Sequence, residues 1–326
     1  MAVLRIIFMG TPEIAGESLR ALVQSDRFQI LAVVCQPDQP QGRGLKLQAP
    51  PAKRIALREK IAILQPARAS DENFIHELRA LQPDLIIVTA YGQILPQSIL
   101  DLPRHGCLNV HASLLPHYRG AAPIQWAILG GETETGVTIM KMDANLDTGD
   151  ILTQEKTPIF PADDAPTLHE RLGRMGAALL LKTIPEWVAG NVRPRPQPFE
   201  GVSYAPKIRK QDGRIDWNQP AEAVRNRVRA MVPWPGAFTF LPAEPRPHLL
   251  KIWKAETIAQ SGFPGQVLSA DKNGIVVGCG VGGLRVVSLQ REGGRRLSAA
   301  EFLAGHPLEP GQTLSVNPEG AAPSVP

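Results

Sequence analysis

The sequence predicts an α/β protein: a Rossmann-like, doubly wound, mostly parallel sheet in the N-terminal domain, a linker, and a smaller OB-like β-barrel. Across residues 1–190, short continuous apolar runs alternate with helical patterns, as in parallel strands that carry helices on both faces. Pro194, Pro196 and Pro198 lack amide donors and exclude a helix there. Beyond residue 209, short strand-like runs separated by glycine and proline turns favour a small barrel.

The first domain is expected to span residues 1–190. Buried strands are predicted at Leu4–Met9, Ile30–Val34, Leu85–Val88 and Leu108–Val110. Gly10 and Thr11 turn the chain after the first strand, and Pro12 suits the first position of a helix. Later strands, expected to be antiparallel, are indicated at Thr135–Met142 and Asp150–Ile159, and Thr167–Ala189 has the pattern of a long amphipathic helix.

A linker over residues 191–209 is expected to lead into a second domain over residues 210–315. Ala221–Met231 is predicted to be a short helix. Strands are predicted at Leu249–Trp253, Gly265–Leu268, Ile275–Val277 and Leu284–Leu289. Asn273-Gly274 predicts a hairpin turn between two of them. Residues 316–326 are rich in Pro, Ala, Gly and Ser, and we expect them to be disordered.

Composition narrows the class of protein. No apolar run reaches the roughly 18 residues that a membrane-spanning helix needs, and the apolar start lacks a cleavage site for secretion. The three cysteines, Cys35, Cys107 and Cys279, are widely spaced and odd in number, which argues against a disulfide framework. We therefore expect a cytoplasmic protein. Its net charge of +4 permits a polyanionic partner without requiring one.

The residues that carry chemistry are concentrated between Cys107 and Asp150. Asn109 and His111 are two positions apart on a predicted strand, so their side chains share one face. They stand near the strand's end, where open α/β sheets bind ligands. An amide and an imidazole can stabilise an oxygen that becomes negative during attack on a carbonyl. Either Asp147 or Asp150 can orient the imidazole.

Three other interpretations of these residues fit less well. The acidic loop is not a calcium loop, because its sixth position is Thr148 and its twelfth is Gln154, where Gly and Glu are required. A zinc site would draw on His105, Cys107, His111 and His117. Their spacing matches no usual zinc pattern, so no metal is expected. Neither the dinucleotide fingerprint nor the Walker pattern surrounds Gly10.

The segment from Asn109 to Ile124 reads NVHASLLPHYRGAAPI, and LDTGD follows from Leu146. Together these resemble the formyltransferases that use 10-formyltetrahydrofolate. The resemblance runs from Leu4 to about Pro310. Further segments resemble the branch of that family that acts on methionyl-tRNA. They are Phe8–Pro12, Gln36–Asp38, Gly42–Gly44, Ala90–Gly92 and Arg214–Trp217.

The resemblance implies roles at matching positions. The catalytic residues are Asn109, His111 and Asp147. The folate site is expected to use Ser113, Leu114, Leu115, Pro116 and Asp143, and the backbone of Ala90, Tyr91 and Gly92. Two departures are visible, since Tyr118 stands where Trp is common and Ala112 where Gly is common in some relatives. Both are tolerable, because Tyr keeps a flat aromatic face and Ala adds one methyl.

The tRNA contacts are expected in two places. Gln39–Pro50 resembles a mobile loop that approaches the acceptor stem, and Arg43 matches its key basic residue. Glycines flank Arg43, and Lys46 lies nearby, so these cations can move and meet phosphates. Lys207 matches a lysine close to the tRNA end, and the second domain matches a barrel that touches tRNA.

The resemblance implies formyl transfer from 10-formyltetrahydrofolate to the amino group of initiator methionyl-tRNA, by a monomer. No Ser or Cys with a paired base is evident, which favours direct transfer without a covalent enzyme intermediate. Two alternatives stay open. One is a formyltransferase acting on a small amine, such as a nucleotide sugar or glycinamide ribonucleotide. The other is an RNA-binding protein with an inactive formyltransferase domain.

Overall fold

The computed structural model describes residues 3–41, 46–243 and 247–315. The strands of the N-terminal part are β1 (Leu4–Gly10), β2 (Phe28–Val34), β3 (Gln39–Gln41), β4 (Lys46–Gln48), β5 (Ala62–Leu64), β6 (Leu85–Thr89), β7 (Cys107–His111), β8 (Glu134–Lys141) and β9 (Ile151–Pro158). The helices there are α1 (Glu13–Val23), α2 (Pro51–Arg58), α3 (Glu72–Ala80), α4 (Gln97–Leu100), α5 (Pro123–Leu129) and α6 (Ala165–Val188).

Seven of these strands form one sheet in the order β5-β2-β1-β6-β7-β8-β9. The first five are parallel, whereas β8 and β9 are antiparallel to their neighbours. The prediction of a mostly parallel sheet with antiparallel later strands is confirmed. The central strands β6 and β7 are buried at every position, because helices cover both faces of a parallel sheet.

The first strand ends at the carboxyl edge of the sheet, and α1 returns the chain to the opposite edge, where the parallel strand β2 begins. Pro12 lies just before α1, as its N-cap, and not inside the helix as expected. Leu19 and Leu22 of α1 are fully buried. A Cβ on Gly10 would lie 2.8 Å from the Thr89 carbonyl oxygen, so the ends of β1 and β6 approach too closely for any larger residue.

Register places the two candidate catalytic side chains of β7. Asn109 stands beside Val88 on the parallel neighbour β6 and beside Met140 on the antiparallel neighbour β8. His111, the last residue of β7, stands beside Thr138 of β8. Both side chains are therefore held at the edge of the sheet where parallel strands end, between two strands of opposite direction.

The chain forms two compact units. Among the described residues, the first comprises 3–123, 134–158 and 167–207, and the second 124–133, 159–166 and 208–315. Residues 316–326, expected to be disordered, lie outside the described residues. Residues 191–207, expected to belong to a linker, are part of the first unit and run along it in largely extended form. The main chain of Arg195 exchanges hydrogen bonds with Ile151, and that of Ala205 donates to Arg119. The expected division at residues 190 and 210 stays a prediction.

The second unit contains β10 (Ala237–Leu241), β11 (His248–Ile258), β12 (Val267–Asp271), β13 (Gly274–Gly278), β14 (Gly283–Arg291), β15 (Leu297–Ser298), α7 (Ala221–Ala230) and α8 (Ala299–Gly305). Its antiparallel sheet has the order β10-β11-β14-β13-β12. The two edge strands are linked by residues 311–315, which bond to β12 through Val267 and to β10 through Phe240. This segment closes the sheet. The predicted hairpin joins β12 to β13, with Lys272 and Asn273 as its turn residues and Gly274 as the first residue of β13.

Trp217 is the largest side chain in the core of the second unit. It is 1% exposed, and its indole nitrogen donates to Thr239 Oγ1 at 3.0 Å. Within the described ranges, no helix is long and apolar enough to cross a membrane.

Candidate active site

The structure brings Asn109, His111 and Asp147 together. Asn109 Nδ2 donates to Asp147 Oδ1 at 3.3 Å, a long hydrogen bond, and His111 Nδ1 lies 3.6 Å from Asp147 Oδ2. Asn109 and His111 are buried, at 8% and 6% exposure. An Asn side chain carries two N–H groups, so Asn109 has a second donor for a bound molecule. The arrangement concentrates hydrogen-bond donors and one carboxylate at the end of β7.

The tautomer of His111 follows from its second contact. Nε2 lies 2.9 Å from the main-chain oxygen of Tyr118. A carbonyl oxygen only accepts, so Nε2 carries a hydrogen and donates it. In a neutral ring Nδ1 is then a bare acceptor that faces Asp147. Donation from Nδ1 to any other group requires that the ring take up a second proton.

The Asp147 carboxylate is held by a main-chain donor as well as by Asn109. Gly120 N donates to Asp147 Oδ2 at 2.8 Å. Gly120 has a φ of +121°, and a Cβ there would lie 2.8 Å from the Ala205 carbonyl oxygen. Asp147 itself has a φ of +52°, which L residues rarely adopt. The contacts that hold Asp147 are therefore made by backbone in unusual conformations.

Asp143 and Asp150 lie on the same acidic loop but have other surroundings. The Asp143 carboxylate accepts from Asn145 N at 3.1 Å and from Thr148 Oγ1 at 2.7 and 2.8 Å. It therefore fixes the turn that carries Asp147. The main-chain oxygen of Asp150 accepts from Lys141 N. Of the two candidates to orient His111, it is Asp147 that lies beside the ring.

The SLLP segment, predicted to bind folate, is anchored from beneath by two side chains. Ser113 is fully buried, and its Oγ donates to the His117 carbonyl oxygen at 2.6 Å. Thr138 Oγ1 donates to Ser113 O at 2.7 Å and accepts from Leu115 N at 3.1 Å. Gln154 Nε2 donates to Leu115 O at 2.9 Å. Thr138 and Gln154 were missed by the sequence reasoning, because nothing local marks a residue that supports a distant loop.

The apolar side chains of this segment face the protein. Leu115 is 3% exposed and packs with Met140 and Ile151. Leu114 is half-buried over Gly136, where a Cβ would come within 2.5 Å of it. Pro116 is buried and follows Leu115. The apolar side chains of the motif therefore shape the loop, and a ligand would contact the main chain and the outer surface of that loop.

Ala90 and Gly92 lie exposed at the carboxyl end of β6, both with positive φ. Tyr91 between them is only 2% exposed, and burial raises the pKa of its hydroxyl to about 12. The Tyr91 carbonyl accepts from Thr11 Oγ1 and from Gln36 Nε2. Its side chain is a core group, so any ligand contact at this position falls to the main chain of Ala90 and Gly92.

The predicted tRNA contacts are described only in part. Arg43 lies outside the described residues, and Lys46 is described only through its main chain, as the first residue of β4. Lys207 is exposed at the end of the extended segment. Arg229 of α7 donates to the carbonyl oxygens of Phe160 and Asp163, and burial lowers its pKa. Its guanidinium has a structural role.

The cysteines offer no activated nucleophile. All three are buried and unbridged, and burial raises the pKa of Cys35 and Cys279 to about 11 and of Cys107 to about 12. A thiol with a raised pKa is unreactive near neutral pH. Among the residues that the structure describes, no three His, Cys, Asp or Glu side chains are grouped to hold a metal ion.

Comparison with known proteins agrees with this geometry. The family model described as formyl transferase matches residues 4–184, and the model of its C-terminal domain matches residues 207–307. Methionyl-tRNA formyltransferase of Geobacter sulfurreducens is 49% identical over 314 residues, which cover 96% of this chain and 98% of that protein. Methionyl-tRNA formyltransferase of Acidovorax ebreus is 50% identical over 333 residues, covering 98% of this chain and 100% of that protein.

Among solved structures, WlaRD is a sugar 3N-formyl transferase crystallised in the presence of dTDP and 5-N-formyl-THF. It superposes with a TM-score of 0.64 at 21% identity, covering 89% of this chain and 98% of that one. At that identity the likeness concerns the fold. The matches of both family models and the near-complete coverage at close to half identity lead to one conclusion: the chain belongs to the formyl transferase family.

Proposed function

We propose that this chain transfers the formyl group of 10-formyltetrahydrofolate to the α-amino group of methionine on initiator methionyl-tRNA, for translation initiation. The observation that carries the proposal is the Asp147 carboxylate held against Asn109 and His111 at the carboxyl edge of the sheet. The relatives that share close to half of its residues along nearly its whole length bear the name of this activity. We expect it to act in the cytoplasm and as a monomer.

The residues near this edge fit a folate. Thr89 Oγ1 is buried and has no hydrogen-bond partner among the described residues, and the main chain of Ala90 and Gly92 beside it is exposed. A pterin ring carries amino and amide groups that need such partners. We propose that Ser113–Pro116 and Asp143 contribute by shaping the loops that flank the ring. Bound there, the folate supplies an electrophilic formyl carbon.

Each catalytic residue has a distinct proposed task. As the neutral α-amine attacks the formyl carbon, the formyl oxygen gains negative charge, and Asn109 donates to it through its second N–H. His111 donates to the same oxygen through Nδ1 in its protonated form, because Nε2–H is committed to Tyr118 and Nδ1, 3.6 Å from Asp147 Oδ2, is not hydrogen-bonded to the carboxylate. Asp147 holds Asn109 by a hydrogen bond, faces the His111 ring, and receives the amine proton through a water molecule. The tetrahedral intermediate then collapses: the carbonyl reforms, the bond between the formyl carbon and the folate nitrogen breaks, and tetrahydrofolate leaves with the proton returned to that nitrogen through the same water. An α-amine has an ordinary pKa of about 7.7–8.0, so a useful neutral fraction exists near pH 7.

The nucleic acid is proposed to meet the chain through Arg43, Lys46 and Lys207. The positions of these residues support the proposal. Lys207 is exposed at the end of the segment that runs along the first unit, and Lys46 follows the glycine-flanked Arg43 in the sequence. Phosphate contacts of this kind weaken steeply as salt rises.

The test is a formylation assay that compares initiator with elongator methionyl-tRNA as acceptors, with 10-formyltetrahydrofolate as donor. We expect a strong preference for the initiator. Asn109→Ala is expected to leave tRNA binding nearly intact and to lower turnover by about 10²-fold or more. Formylation of a nucleotide sugar or of glycinamide ribonucleotide, with neither tRNA accepted, would replace the proposal with the small-amine alternative. Absence of folate binding by calorimetry would leave the inactive RNA-binding protein.

A further inference from the structure

Arg119 is a buried charge within the motif that carries the site. It is 9% exposed, and a buried guanidinium needs hydrogen-bond acceptors. Its main chain is fixed to the extended segment, since its N donates to Ser203 O at 2.9 Å and its O accepts from Ala205 N at 2.7 Å. Its Nε and Nη2 donate to Gln197 Oε1 at 3.0 and 2.6 Å. The guanidinium therefore binds the side-chain oxygen of Gln197 through two N–H groups.

The nitrogen end of the same amide reaches the loop of Asp147. Gln197 Nε2 donates to the main-chain oxygens of Asp147 and Gly149, both at 2.8 Å. Arg119 only donates and the two carbonyls only accept, so the amide has one orientation that satisfies all its partners. Both of its N–H groups are used, and they hold the main chain on either side of Thr148.

The loop that carries Asp147 needs external contacts to keep its conformation. Asp147 has a φ of +52°, a conformation that persists only where the surroundings enforce it. Its carboxylate must reach Asn109 and Gly120 N at the same time. We propose that Gln197, oriented by Arg119, is a positioning residue for formyl transfer: it clamps the main chain of Asp147 and Gly149 so that the carboxylate meets Asn109 and His111.

The kinetic test of this inference rests on the proposed function, whereas the structural test does not.

Residues 191–207 then do more than connect two parts of the chain. The segment carries Gln197 to the loop, and through Ser203 and Ala205 it also fixes the strand-like backbone of Arg119. A Pro-rich stretch that looks like a spacer in the sequence thus completes the support of the catalytic carboxylate.

The kinetic test uses the full chain with Gln197→Ala, Gln197→Glu and, as matched control, Gln97→Ala, an exposed glutamine on α4. Gln197→Ala is expected to lower kcat by about 10-fold or more and to change each KM by less than about twofold, because a displaced catalytic group costs rate. Glu at 197 keeps an acceptor for Arg119 but sets a carboxylate oxygen against two carbonyls, so it should not rescue kcat. Rescue by Gln197→Glu, or a normal kcat in Gln197→Ala, would overturn the proposal.

A double-mutant cycle asks whether Gln197 acts through Asp147. In an Asp147→Ala background, measured by single turnover with enzyme in excess, adding Gln197→Ala should change the rate by less than about twofold. Equal effects of Gln197→Ala in both backgrounds would refute the route through the carboxylate.

The structural test does not depend on activity. Amide hydrogen exchange of residues 143–150 should be about 10-fold faster in Gln197→Ala than in the wild type or in Gln97→Ala. Unchanged exchange would overturn the clamp. A wild-type chain that fails to formylate methionyl-tRNA, while Gln197→Ala still speeds this exchange, would sink the proposed function and leave the clamp standing.

Discussion

Thr138→Val tests how far the loop Ser113–Pro116, proposed to flank the folate, depends on one buried hydroxyl. Thr138 is fully buried on β8, and its Oγ1 serves three partners: Ser113 O at 2.7 Å, Leu115 N at 3.1 Å and Gln154 Nε2 at 3.0 Å. Valine has nearly the same shape but no hydroxyl. Gln154 keeps its second acceptor, the Leu115 carbonyl oxygen. Two main-chain groups, Ser113 O and Leu115 N, lose this partner.

The magnitude follows from those two groups. A buried donor or acceptor left without a partner costs about 1–3 kcal/mol, and two neighbouring losses are not fully additive. We therefore expect the free energy of unfolding to fall by about 2–4 kcal/mol. With a slope of about 3 kcal/mol per molar urea, the midpoint of unfolding should fall by about 1 M. The KM for 10-formyltetrahydrofolate should rise, because the loop that we propose to flank its site is released.

The matched control is Thr157→Val on the neighbouring strand β9, where the side chain is half-buried. It should change the free energy of unfolding by less than about 0.5 kcal/mol. Urea titrations of both variants, followed by fluorescence and circular dichroism, measure the difference. If Thr138→Val unfolds at the same urea concentration as Thr157→Val, the hydroxyl does not hold the loop and the reasoning fails.

Three further predictions concern the backbone, pH and charge. Gly120→Ala should be destabilised by at least about 1–3 kcal/mol and lose most of its turnover, because its φ of +121° suits glycine and a Cβ there would lie 2.8 Å from a carbonyl oxygen. The control Gly305→Ala should be tolerated, because nothing lies within 4 Å of its Cβ. Equal melting temperatures of the two variants would contradict this reasoning. Burial lowers the pKa of His169 below its ordinary 6.5, so the unfolded chain binds more protons. The contribution of neutral His169 to stability is complete above pH 6.5 and is lost as pH falls towards the lowered pKa. Below pH 6.5 the melting temperature of the wild type should therefore fall more than that of His169→Gln. Parallel curves of melting temperature against pH would exclude this contribution. Lys207→Glu should raise the KM for methionyl-tRNA and reduce the slope of log affinity against log salt by about 1. The control Lys60→Glu, at another exposed lysine, should do neither.

The parts of the fold that periodicity controls were predictable. Asn109 and His111 were placed on one face of a strand from their spacing alone, and β7 carries them as expected. The alternation of apolar runs with helices gave the parallel sheet, since each buried strand is apolar on both faces. A hairpin was predicted at Asn273-Gly274 and one is present, but its two turn residues are Lys272 and Asn273, and Gly274 is the first residue of β13.

Contacts between residues distant in sequence were not predictable. Gln197 lies 50 residues from Asp147 and 78 from Arg119, in a stretch whose prolines indicate only that it is not helical. The sequence could place Asp147 near the site by resemblance, but Asp147 and Asp150 differ by only three positions. Which of them lies beside His111 depends on the backbone of the loop, where Asp147 has a φ of +52°. Tyr91 lies next to exposed backbone, yet its side chain points into the core.

The strained backbone of the first unit explains why activity should be more fragile than the fold. Of the five described non-glycine residues with positive φ, three border the site: Ala90, Tyr118 and Asp147. Each such residue costs about 1–3 kcal/mol and persists only when its neighbours enforce it. Around Tyr118 and Asp147 the enforcement comes from hydrogen bonds, through His111 and Ser203 for the former and through Gly120 and Gln197 for the latter. The core of the sheet is apolar and independent of these bonds, so mild urea should abolish turnover at concentrations below those that unfold the sheet.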